Sequence, residues 1–111
     1  MIIFHIATRA EWEPFQKNQL DYRALSLESE GFIHASLADQ VPRTLNVHFK
    51  GEFDLFIMKI DTEKLTSKLV FEDLYGAGQE FPHVYGVVNR ASILEVEHLK
   101  DTSFVGAVAS S

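Results

Sequence analysis

The stretch MIIFHIATRAEWEPF (residues 1–15) changes character at Thr8, and that change decides the fold. From Ile2 to Ala7 it is apolar except for one histidine, a run short enough for a buried strand and too short for a buried helix. Thr8 and Glu11 then have capping-box spacing: the hydroxyl serves an early helix N–H and the carboxylate reaches back. A helix follows over about residues 9–18, with Trp12 and Phe15 on one face. Pro14 limits this helix unless it falls within the first turn. The chain therefore opens as a strand that turns directly into a helix. His5 sits where the strand would be expected to carry another apolar side chain.

A second stretch, EGFIHASLADQ (residues 30–40), has the same form. Residues 32–36 read as a strand with His34 at its centre. Ser36 is placed to cap the next helix, with Asp39 in its first turn. Side chains alternate across a strand, so His5 shares a face with Ile3 and Ala7, and His34 with Phe32 and Ser36. Each histidine precedes a capping hydroxyl residue and a helix start. That is where anionic groups find N–H donors and a favourable dipole.

The rest of the chain completes an α+β pattern. NQLDYRALSLESEG (residues 18–31) is a polar connection with a short extended piece at Tyr22. Val41, Leu45 and Phe49 recur at helical spacing, and Pro42 implies a kink or a late start for that helix, which Gly51 ends. FDLFIMKID (residues 53–61) is apolar on both faces and reads as a central strand. TEKL is a short turn, KLVFEDL (residues 68–74) a strand, and YGAGQEFPHVYG (residues 75–86) a loop carrying His83 and Tyr85. SILEVEHL (residues 92–99) is a last strand. The expectation is one α+β domain over residues 1–100, with a mixed or split β-sheet and two main helices starting near residues 8 and 37. Residues 101–111 are expected to be a loosely held tail.

Composition narrows the function classes. The 111 residues are 46% hydrophobic and carry a formal charge of -6. An acidic chain is a poor match for long nucleic acids, whose phosphates need clustered Lys and Arg. A mononucleotide needs only one or two arginines or a helix N-terminus. The absence of cysteine excludes disulfides, thiolate catalysis and cysteine-ligated zinc. No apolar run has membrane-spanning length, and the apolar N-terminus lacks a basic leader, so it reads as a strand and not a signal peptide. No membrane association and a cytoplasmic location are expected.

His5 and His34 are thus the first candidates for a site, and His83 is the third, in a glycine-flanked segment with Tyr85 two residues on. The bland alternative for each is a core histidine satisfied by one hydrogen bond. Glu72, Asp73 and Glu80 are candidates for a general base or a ribose-hydroxyl acceptor, although acids at strand ends are commonly just solvated. Arg9, Arg23 and Arg43, three of the four arginines, are candidate phosphate partners. Three histidines with Glu72 or Asp73 would also suit zinc, but the short helical His spacing of a convincing metal site is missing.

IFHIATRAEWE, SEGFIHASLADQV and FEDLYGAGQEFPHVYG, in that order, resemble the small bacterial family called domain of unknown function 952, over roughly residues 1–99. That family's fold resembles the ADP-ribosylation scaffold, a split sheet whose active members bind NAD in a cleft. Phe4, His5, Ile6, Ala7 and Thr8 resemble the tyrosine-histidine-glycine-threonine strand of RNA 2'-phosphotransferases with one insertion. His34, Ala35 and Ser36 resemble their histidine-leucine-serine run. Ile6 stands where those enzymes have glycine, and their arginine set is not visible. The resemblance implies an NAD-like or other nucleotide ligand and a transferase of ADP-ribosyl or phosphoryl groups. It implies His5 as ribose ligand, Tyr85 as stacking group and Glu72 in the place of a late glutamate. His34, His83 and Glu72 are then the candidate catalytic residues, and His5, Thr8, Arg9, Ser36 and Tyr85 the candidate ligand-binding ones. A binding module on the same scaffold without chemistry is the alternative.

Overall fold

A computed structural model describes residues 1–18 and 21–100. The expected tail, residues 101–111, lies outside the described residues. Strand β1 (Ile2–Thr8) runs straight into helix α1 (Arg9–Asn18), as the opening stretch implies. The capping box forms: Glu11 N–H donates to the Thr8 hydroxyl at 3.3 Å, and the Glu11 carboxylate accepts from Thr8 N–H at 3.0 Å. The helix continues through Pro14. The carbonyl deprived of its donor there is that of Ala10, an exposed residue whose carbonyl is within reach of water.

The connection that follows is more structured than its polarity suggests. It contains a two-residue strand, β2 (Asp21–Tyr22), and a short helix, α2 (Leu25–Ser29). Strand β3 is only Ile33–His34, shorter than expected. Ser36 does not cap the next helix. Its hydroxyl bonds to that of Thr44, while Gln40 caps the Leu37 N–H before a 3-10 turn at Ala38–Gln40. Helix α3 then starts late, at Val41–His48, which puts Pro42 in its first turn, where no N–H is required of it. Leu45 is buried, with Val41 and Phe49 packed about the same cluster.

Strands β4 (Leu55–Asp61), β5 (Lys68–Glu72), β6 (Phe81–Tyr85), β7 (Val88–Asn89) and β8 (Ile93–Leu99) complete the fold. The segment expected to be a loop around His83 is strand β6, at the centre of its sheet. Pro82 ordinarily argues against a central strand. Its carbonyl accepts from Ala35 N–H at 3.0 Å, so its nitrogen faces the same side, where the β3 ladder has already ended. The missing donor therefore costs the return bond to Ala35, at the end of the β3 ladder, and leaves the β5 ladder in register.

The sheet is split into β1-β4-β8, β3-β6-β5 and the small β2-β7 pair. Every described pairing is antiparallel. As FDLFIMKID implies, β4 is central, with Met58 and Ile60 fully buried. The main core gathers Ile3 and Ala7 of β1, Phe15 of α1, Tyr22, Ile33, Met58 and Val84. No described helix is long and apolar enough to cross a membrane.

Candidate functional site

The two larger sheets meet where β1 passes β3. Phe4 N–H donates to Ser36 O at 2.8 Å and Ser36 N–H donates to Phe4 O at 2.7 Å. A cleft of about 590 Å³ opens at this junction. His5 and Thr8 line it from β1, His34 and Ser36 from the β3 segment, and Glu72 from the end of β5. Asp73 and Arg43 line it as well, whereas Arg23 and Glu80 do not. Arg9 turns away to a bidentate pair with Asp54 and a 3.1 Å bond to Glu13. His83 and Tyr85 lie beside the cleft, in the network described below.

His5 is enclosed, at 5% exposure. A carbonyl can only accept, so Nδ1–H donates to His34 O at 2.5 Å. That tautomer leaves a lone pair on Nε2, which accepts from the Tyr22 hydroxyl at 2.7 Å. Burial pushes the His5 pKa down, against the opposing pull of the His34 carbonyl and Glu11, and the ring stays neutral. Tyr22, fully buried, has its pKa pushed up by burial first and by the Glu11 charge second. Glu11 also accepts from Leu25 N–H at 2.8 Å, tying the start of α2 to the β1–α1 corner.

His34 and His83 are arranged differently. They are direct cross-strand partners, so their rings stand on one face of the β3-β6-β5 sheet. The rings meet edge to face, centroids 5.4 Å apart and planes at 83°. Phe32 stacks on His83 at 4.3 Å and touches His34 at 4.9 Å. Each imidazole is held by a glutamate, and each glutamate by a tyrosine. His34 Nε2–H donates to Glu30 at 2.9 Å, and Glu30 accepts the Tyr75 hydroxyl. His83 Nδ1–H donates to Glu72 at 2.9 Å, and Glu72 accepts the Tyr85 hydroxyl. These tyrosine bonds, and then the histidines, hold both carboxyls below their usual range. In return Tyr75 is pushed up to about 12 and Tyr85 is raised. His34 is 43% exposed at its side chain and His83 only 3%. Their other nitrogens, Nδ1 of His34 and Nε2 of His83, bond to no described residue.

Sequence reasoning missed Glu30 and Tyr75. Glu30 lies four residues before His34, a spacing that looks like a helical pair. Here it spans the end of α2 and a turn instead. Tyr75 opens the segment read as a loop carrying His83 and Tyr85. Among the described residues no group of three histidines and carboxylates has metal-holding geometry.

Residues 6–96 match the family model described as Protein of unknown function (DUF952). The chain belongs to this family. The DUF952 chain is similar in fold to protein CC0527 from Caulobacter crescentus. It matches that protein's X-ray crystal structure with a TM-score of 0.78 and 24% identity over 100% of both chains. It matches the solution NMR structure of the same protein with a TM-score of 0.74 and 27% identity, covering 89% of this chain and 84% of that one. No curated protein matches the DUF952 chain.

Proposed function

We propose that the cleft binds a ribose-containing small molecule, a nucleotide or NAD-like ligand, on a variant of the ADP-ribosylation scaffold. We further propose that His34, with His83 and Glu72 behind it, carries protons in a group transfer of the ADP-ribosyl or phosphoryl kind. The observation that carries this reading is the convergence of His5, Thr8, His34, Ser36 and Glu72, from both sheets, on one cleft. The chemistry follows from tautomers. With Nε2–H committed to Glu30, a neutral His34 offers a lone pair at Nδ1, the nitrogen that bonds to no described residue. A carboxylate-held imidazole with one ring nitrogen left over is suited to general acid–base work. Thr8 and Ser36 add hydroxyls to the wall, and Tyr85 is the candidate stacking group beside it.

A second reading is a binder without chemistry, and one observation favours it. Both nitrogens of His5 are already engaged, so it has no free donor for a ribose hydroxyl. A ligand making that contact must replace Tyr22 or the His34 carbonyl as partner.

The test is a thermal-shift and calorimetric titration with NAD, ADP-ribose, AMP and adenosine. At least one is expected to raise the melting temperature of the wild-type chain. His34→Ala is expected to melt only a few degrees below the wild type and to lose most of that shift. If no ribose compound shifts the wild-type protein, the reading falls. A turnover assay on any ligand found then separates catalyst from binder.

A further inference from the structure

The charges that line the cleft differ in whether the protein already satisfies them. Its three carboxylates are all served. Glu11 accepts from Thr8 and Leu25, Glu72 from His83 and Tyr85, and Asp73 from the N–H groups of Ala77 at 2.7 Å and Gly78 at 2.9 Å. Two basic side chains line the same cleft from α3, Arg43 and His48. Neither has a hydrogen bond or ion pair to a described residue. The other arginines are placed differently: Arg9 is paired with Asp54 and Glu13, Arg90 lies over the Phe15 ring at 4.5 Å, and Arg23 does not line the cleft. Residues 43 and 48 stand about 140° apart around the helix axis, and Thr44 and Val47, which fall within that arc, line the cleft too.

We infer that α3 forms an anion pole in this cleft, with Arg43 as its main contact and His48 and the Thr44 hydroxyl beside it, and that its ligand class is a phosphate ester. This rests on the ligand-binding reading above and adds a direction to it: the phosphate lies along α3, and the sugar reaches toward β1 and β3. An exposed guanidinium offers the bidentate fork that phosphate oxygens match. The Thr44 hydroxyl is paired with Ser36 at 2.9 Å, and only one of the two hydrogens is used there. The other is left for an oxygen acceptor. A cleft whose carboxylates already have their hydrogen bonds made, and whose basic side chains on α3 do not, has its unused donor capacity along α3.

The experiment uses matched probes on the full chain: AMP, adenosine and inorganic pyrophosphate, titrated by calorimetry at low and high salt. AMP is expected to bind at least about tenfold more tightly than adenosine, the usual scale for a charge-assisted hydrogen bond. Added salt should shrink that difference. Arg43→Gln should abolish it while leaving adenosine binding unchanged, and Arg43→Lys should restore part of it. Arg43 is exposed, so both variants are expected to melt with the wild type. Adenosine and AMP binding equally would overturn the pole and leave the ribose reading standing. Pyrophosphate binding that depends on Arg43, with adenosine silent, would support the pole and sink the ribose reading. Silence from all three probes overturns both.

Discussion

His5 and His34 occupy similar sequence contexts, yet the fold treats them in opposite ways. Both follow apolar residues on a strand, and both are followed by an alanine and a hydroxyl side chain within three residues. The difference lies in what covers each strand. Parity sends His5 to the face of β1 that carries Ile3 and Ala7, beneath α1, and Tyr22 closes over its Nε2. His34 sits on an edge strand of two residues, on a sheet face shared with Phe32, His83 and Glu72. The first ring ends as a joint between strands, with both nitrogens spent inside the protein. The second keeps one nitrogen for something else. The backbone carbonyl of His34 is what His5 holds, so the joint positions the strand that carries the exposed ring.

Truncating each ring gives the sharpest test of that contrast. His5→Ala should destabilise the fold by about 3 kcal/mol, from a cavity together with an unpaired His34 carbonyl and Tyr22 hydroxyl. For a chain of this size that is a fall in melting temperature of more than about 10 °C. His34→Ala should cost less than about 1 kcal/mol, as a half-exposed ring with one surface ion pair. Thermal and urea unfolding of both variants decide it. Equal losses would mean that burial does not separate the two roles.

Tyr22→Phe probes the same joint more gently. It leaves the packing of the aromatic ring and strips Nε2 of its donor, a loss of about 1–2 kcal/mol by chemical denaturation. A loss near zero would show that water reaches His5 and that the site is less closed than its burial implies.

Much of this arrangement was legible in the residues. The strand-to-helix switch at Thr8, the central strand at FDLFIMKID and the stripe of Val41, Leu45 and Phe49 are local patterns, and each is realised. What failed was set by tertiary structure. Strand β6 looked like a loop because Pro82 and the nearby glycines are local signals. The neighbour that makes Pro82 tolerable is Ala35, distant in sequence. The histidines, by their contexts, point to one site on β1 and β3, and Glu72 at the end of β5 reads from its own context only as a strand-end acid. Their second partners, Tyr22, Glu30 and Tyr75, are joined to them by turns and sheet register that no spacing rule encodes.

Acidification should also separate the joint from the surface network. The His5 pKa is depressed by burial, so below the ordinary histidine value of 6.5 the unfolded chain takes up a proton that the folded chain refuses. Stability is therefore unaffected by His5 above that value and falls as pH drops below it. Between pH 6.5 and 5.5 this one group should cost at most about 1 kcal/mol, the limit set by the unfolded value. His5→Gln keeps a donor for the His34 carbonyl and an acceptor for Tyr22 without titrating. The difference between its stability–pH curve and that of the wild type should show this loss. Superimposable curves across that window would mean that His5 titrates as freely when folded as when unfolded.

The smallest effect concerns the Tyr75–Glu30–His34 chain. Glu30 is held below its ordinary carboxyl value of 4.5 first by the Tyr75 hydroxyl and then by His34. A depressed carboxyl contributes stability above its unfolded value and loses it as pH falls through the folded one. The Glu30 side chain is 38% exposed, so solvent screening keeps that contribution small, and Tyr75→Phe should shift stability at neutral pH by no more than about 0.5 kcal/mol. The informative readout is the titration of individual carboxyls by NMR. In Tyr75→Phe the Glu30 midpoint should move up toward its ordinary value, while that of Glu72, which depends on Tyr85 and His83, stays where it is. Coupled movement of both carboxyls would mean that the two imidazoles, in edge contact at 5.4 Å, act as one titrating unit. His34 would then have to be treated with His83 as a single proton-carrying pair and not as a ring with its own supporting glutamate.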